Sequence, residues 1–119
     1  MSTRAQVRFA TREEGVSFSE HPNAIHAQFY VHYDGYPESL GIEIAESLTK
    51  YKKLMYWEIE SLHAYHSDLE YIYYIWQTLG KSTWISIFKV GWSDKDECIF
   101  VGQPSDLINK YKLNTNAYG

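Results

Sequence analysis

Two carboxylates, Asp34 and Glu38, sit within the segment His32-Tyr33-Asp34-Gly35-Tyr36-Pro37-Glu38, and a pair of this kind can move protons or hold a divalent cation. Asp34 precedes a glycine and Glu38 follows a proline, so the simpler roles are a turn residue and an acid in a first helical turn. The flanking rings of Tyr33 and Tyr36 are better suited to contacting a partner. His63 and His66 have the i, i+3 spacing that puts two imidazoles on one helical face, with Asp68 nearby. Dedicated metal sites use three or four protein ligands, so these read as surface histidines and no metal is assigned. His26 and His32 fall on one strand face about 20 Å apart at the usual strand rise, too far to share an ion. Cys98 lies in a β-rich run, where a lone cysteine is a small buried hydrophobe rather than a reactive thiolate. There is no Gly-x-Ser-x-Gly elbow and no glycine-rich phosphate loop; Gly102-Gln103-Pro104-Ser105 reads as a strand-to-helix turn. Neither a catalytic residue nor a cofactor is assigned.

The elements that must position these residues follow from hydrophobic periodicity. Ala5, Val7 and Phe9 alternate with Arg4, Gln6 and Arg8, and Ile25, Ala27, Phe29 and Val31 alternate with His26, Gln28, Tyr30 and His32. Both are period-two patterns with one wet face. Asp34-Gly35 then supplies turn chemistry and Pro37 suits the first position of a helix. Leu40, Ile44, Leu48 and Tyr51 form its apolar stripe, and Lys50, Lys52 and Lys53 near its end complement the helix dipole. Met55, Ile59 and Leu62 predict a second, shorter helix within 54–66. Two aromatic β-rich runs, 69–78 and 83–90, surround Gly80-Lys81-Ser82 and read as a hairpin. A short strand over 97–101 and a helix opened by Ser105 and Asp106 through Tyr111 complete the domain.

The predicted fold is therefore α+β: one domain over 1–113, with a mostly antiparallel sheet of about five strands in the order β-β-α-(α)-β-β-β-α, helices on one face, and a loose tail over 114–119. The other face would collect Arg4, Arg8, His26, Gln28, Tyr30 and His32 with Tyr74 and Trp76. Such a face could serve a partner, or bind a small anionic or nucleotide-like ligand through Arg4, Arg8, His26 and Gln28. Stacked single-stranded RNA is a further use for Tyr30, Tyr74 and Trp76.

Composition restricts these options. A net charge of −4 disfavours direct nucleic-acid binding, which relies on cations neutralising phosphates. Aromatic residues make up 17% of the chain, with eleven Tyr and four Trp, an excess that suits both strands and interfaces. One cysteine, no apolar run near the ~20 residues of a membrane helix and no charged-then-apolar leader at Met1 predict a cytoplasmic protein without membrane association.

Four matching stretches, Ser2 to Ala5, Tyr33 to Glu38, Leu69 to Ile75 and Cys98 to Leu107, carry a resemblance covering most of the chain. It resembles a group of small uncharacterised bacterial and bacteriophage proteins in which an aromatic-Asp-Gly-Tyr-Pro-Glu motif follows the second strand. That group often has Trp where this chain has Tyr33. The resemblance implies an α+β fold and a viral or mobile-element setting, and it transfers no catalytic residues. Small size, acidity and aromatic excess together point to a non-enzymatic protein that binds and inhibits a host or defence protein, with anti-CRISPR-like counter-defence as the setting and a basic, nucleic-acid-handling complex as the target. The contact residues would be Tyr30, His32, Tyr33, Asp34, Tyr36, Glu38, Tyr74 and Trp76. The alternative is a module that sequesters a nucleotide-derived signal, with a homodimer interface able to complete its pocket.

Overall fold

A computed structural model of the chain describes residues 3–11, 20–22, 24–49, 57–64, 66–77, 82–91 and 95–116, without the side chains of 49, 57–59 and 112–116. Six strands form a single sheet: β1 (Arg4–Thr11), β2 (Ala24–Val31), β3 (Trp57–Glu60), β4 (Leu69–Gln77), β5 (Thr83–Lys89) and β6 (Glu97–Gly102). Their order is β3-β2-β1-β4-β5-β6, with β1 and β4 parallel and every other neighbouring pair antiparallel. Two α-helices, α1 (Ile42–Thr49) and α2 (Pro104–Asn116), complete the α+β domain. A single turn of π-helix, Pro37–Gly41, leads into α1, with Pro37 in its first turn.

The alternation read in β1, β2 and β4 sets the layers. Ala5, Val7, Val31, Tyr73, Ile75, Ile85 and Ile87 face one side and pack under Leu40, Ile44 and Ala45 of the first helical segment and Leu107 and Tyr111 of α2. Both helices therefore cover the same face. Of the predicted stripe, Leu40 and Ile44 are buried, whereas Leu48 is exposed and Ala45 takes the inward position. Tyr51 and the three lysines lie outside the described residues.

The second helix expected within 54–66 is replaced, in its described part, by β3. Met55, Ile59 and Leu62 do repeat at helical spacing, but Trp57–Glu60 lies beside the free edge of β2, and pairing there satisfies the backbone of both strands. β3 runs parallel to β1, and hence to β4, on the far side of β2 and β1. Its connection to β4 must cross both, and it does so on the face without helices, where the carbonyls of Ser61 and Ala64 accept hydrogen bonds from Gln28 and Gln6. α2 continues to Asn116, past Tyr111 and into the stretch expected to be loose. No helix among the described residues is long and apolar enough to cross a membrane.

Candidate functional site

The junction between β2 and the helical segment is fixed by three features. Asp34 has φ 55, the left-handed conformation that Asp tolerates better than most residues because its short side chain can bond locally. Gly35 lies against β1: its N–H donates to the Thr3 carbonyl at 2.9 Å, and a Cβ there would lie 2.8 Å from the Ala5 Cβ. From beneath, the buried Tyr73 hydroxyl donates to the Gly35 carbonyl at 2.6 Å. Burial, reinforced by Tyr71, Tyr111 and Glu38, holds the Tyr73 phenol well above its ordinary pKa, so it stays a donor. Burial and the charge of Glu38 likewise push Tyr111 up to about 12.

On this anchored backbone Tyr33 is 62% exposed and Tyr36 39%. A concavity of about 300 Å³ opens beside Tyr33, lined by Val31, Tyr33, Asp34, Ser39 and Glu43. Glu38 is exposed in the first helical turn.

The face opposite the helices is not an open platform. Tyr30, Tyr74 and Trp76, expected to offer rings to solvent, are 6%, 1% and 3% exposed. The crossover buries Tyr30 by stacking His66 on it at 3.8 Å, His21 packs edge-on to Tyr74, and Trp76 donates its indole N–H to Ser86 and stacks on Trp84. Their side of the sheet was read correctly; their exposure was not.

A polar row crosses this face. Asp96 accepts from His21 Nε2 at 3.2 Å, and His21 Nδ1 meets the Tyr74 hydroxyl at 2.6 Å. That hydroxyl accepts from Arg8 Nη1 at 2.6 Å, and Arg8 Nη2 donates to Gln6 Oε1 at 2.8 Å. Gln6 and Gln28, both buried, donate to one oxygen of Glu60 at 3.0 Å, while His66 meets the other at 2.6 Å. Desolvation lowers the His21 pKa, the Arg8 charge adds to this, and Asp96 opposes it without reversing it. The neutral form of His21 is thereby favoured, and an Nε2–H facing Asp96 would leave Nδ1 to accept from Tyr74. The row can transmit hydrogen-bond polarity, but its centre is buried.

The other predicted site residues separate. Arg4 pairs with Asp68 at 2.6 Å. His26 leaves the expected face altogether: between Phe9 and Ala10 the register shifts so that Ala10 pairs with Ile25, making His26 the extra residue of a β-bulge. It bonds Thr11 Oγ1 at 2.6 Å and lines a cavity that also touches Phe9 and Leu48, while Ile25 turns to the Trp76 side. His32 sits edge-on to Tyr30 at 4.4 Å and 6.1 Å from the Tyr33 ring, linking the crossover to the junction. Among the described residues, His66 is engaged by Glu60, and no three His, Cys, Asp or Glu side chains converge to hold a metal ion.

Sequence reading missed Glu60, Gln6, His21 and Asp96. The visible signal was Gln6 and Gln28, amides on central strands. His21 carried none, because its loop composition suited exposure. Comparison of the chain with protein-family models, curated proteins and solved structures gave no match.

Proposed function

We propose that this chain is a non-enzymatic protein that occupies a surface of a host or defence protein and blocks it, in the phage or mobile-element setting its resemblance implies, with anti-CRISPR-like counter-defence as the role. The observation that carries this reading is the pair of exposed tyrosines, Tyr33 and Tyr36, on a backbone held by Thr3, Gly35 and Tyr73. Solvent-facing rings on a preorganised turn bury large area on contact while losing little conformational entropy. The net charge of −4 would steer the chain towards a basic target.

Affinity purification from the native host, followed by mass spectrometry, tests the proposal. The parent chain is expected to retain one host protein saturably, and a Tyr33→Ala/Tyr36→Ala variant with unchanged melting temperature to lose it. Retention of nothing, or equal retention by the variant, overturns the reading.

A second reading, capture of a small nucleotide-derived anion, is supported by Arg8. Its guanidinium is held by the neutral acceptors Tyr74 and Gln6, and its buried Nε has no partner among the described residues. A ligand of the folded state at ~100 times its dissociation constant would stabilise the protein by about 2.7 kcal/mol, which thermal-shift screening against nucleotides would reveal. Single-strand stacking loses its support, because the three rings it needs are buried.

A further inference from the structure

We propose that the face covered by the crossover holds one internal water molecule, which accepts a hydrogen bond from Arg8 Nε and donates one to Gln28 Oε1. Arg8 and Gln28 are directly paired in the register of β1 and β2, so their side chains leave neighbouring strands on the same face, with Cβ atoms about 5 Å apart. Both Arg8 Nε and Gln28 Oε1 are buried, and neither has a hydrogen-bond partner among the described residues. Turning either side chain towards the other would break bonds it already makes. Arg8 Nη1 and Nη2 donate to Tyr74 and Gln6 at 2.6 and 2.8 Å, and Gln28 Nε2 donates to Glu60 Oε1 at 3.0 Å and to the Ser61 carbonyl at 3.2 Å. Reversing the Gln28 amide would set its oxygen against those two oxygens, so Oε1 is the atom left over.

The chemistry of the occupant follows from the two atoms it must satisfy. One is a donor and the other an acceptor, so an anion would serve Arg8 and leave Gln28 unpaired, while a cation would face the guanidinium. A neutral group that both accepts and donates is required, and water is the smallest. Such a molecule also closes a ring. On one side Arg8 Nη2 donates to Gln6, whose Nε2 donates to Glu60 Oε1 at 3.0 Å. On the other, Arg8 Nε donates to the water, the water donates to Gln28 Oε1, and Gln28 Nε2 donates to the same Glu60 oxygen. Both arms run in one sense from guanidinium to carboxylate, the arrangement in which successive hydrogen bonds strengthen one another. The water thus ties β1 and β2 to the end of β3, where the crossover begins. With Nε engaged in this way, Arg8 cannot also offer it to an anion, so this inference and the nucleotide-anion reading make opposite demands on one atom.

The test is oxygen-17 relaxation dispersion of the water signal, which reports long-lived internal waters and is blind to protein hydroxyls, applied to the full parent chain and to Gln28→Met. That substitution keeps the length of the side chain and removes the acceptor. The parent is expected to hold one more long-lived water than the variant, and equal numbers overturn the site. Because Gln28→Met also takes a donor from Glu60, a second measurement uses the parent alone and stands even where the variant fails to fold. The Arg8 Nε–H proton should show a nuclear Overhauser contact with water whose sign reverses in the rotating frame, as a bound molecule gives and proton exchange does not. Absence of that contact overturns the proposal, as does a scalar coupling across a direct hydrogen bond from Arg8 Nε to the Gln28 side-chain carbonyl. Saturable loss of the contact on titration with inorganic phosphate overturns it in favour of anion capture.

Discussion

His21 shows how much a single residue's surroundings decide. Its ring stacks on Phe88 at 4.0 Å and bridges Tyr74 and Asp96, and desolvation lowers its pKa from 6.5. A histidine whose folded-state pKa is lowered binds protons more readily when unfolded, so its contribution to stability is present above pH 6.5 and is lost as the pH falls through the folded value. Urea midpoints should therefore decrease from pH 7.5 to 5.5 in the parent, and by less in His21→Gln; equal decreases would refute this assignment. Nothing in the sequence revealed this residue, because Glu20-His21-Pro22 has loop composition and its burial depends on β5 and on Asp96. The junction was more legible. Asp34-Gly35 and Pro37 announced a turn and a helix start, yet the reason position 35 must be glycine, contact with Ala5 and Thr3, is non-local. Gly35→Ala should cost about 1–3 kcal/mol by overpacking, and Tyr73→Phe about 1–2 kcal/mol by leaving a carbonyl unpaired, both measurable by urea denaturation.

At the scale of elements, the pattern in the sequence located strands better than it ordered or covered them. Alternation in β1, and in Phe29 and Val31 of β2, identified side chains that face the helices, because that depends on a period of two; Ile25 is the exception, turned to the Trp76 side. It could not show that β3 would pair at the edge of β2, nor that the following connection would cross the sheet, since both depend on a neighbour distant in sequence. The β-bulge that moves His26 is likewise set by pairing with β1 rather than by local composition. The crossover is held by Glu60, which takes hydrogen bonds from Gln6, Gln28 and His66. Glu60→Ala would leave two buried amide donors without their shared acceptor and should cost about 2–3 kcal/mol. The loss should be accompanied by faster hydrogen exchange across 61–68 than across β4 and β5. A change below about 0.5 kcal/mol would show that the crossover is held some other way.

For the whole molecule, the acidic balance and the exposed tyrosines make separable predictions. If charge steers association with a basic target, raising ionic strength should slow the on-rate while leaving the off-rate nearly unchanged. A salt-independent on-rate would detach the net charge of −4 from function. The rings of Tyr33 and Tyr36 should act on the off-rate, because packed aromatic contacts break during dissociation. The most direct measurement is a calorimetric titration of the host protein that affinity purification is expected to retain, comparing parent with Tyr33→Ala/Tyr36→Ala at matched melting temperature. Binding through the junction predicts affinity at least about tenfold weaker in the variant, roughly 1.4 kcal/mol. Equal affinity for the two proteins would contradict it.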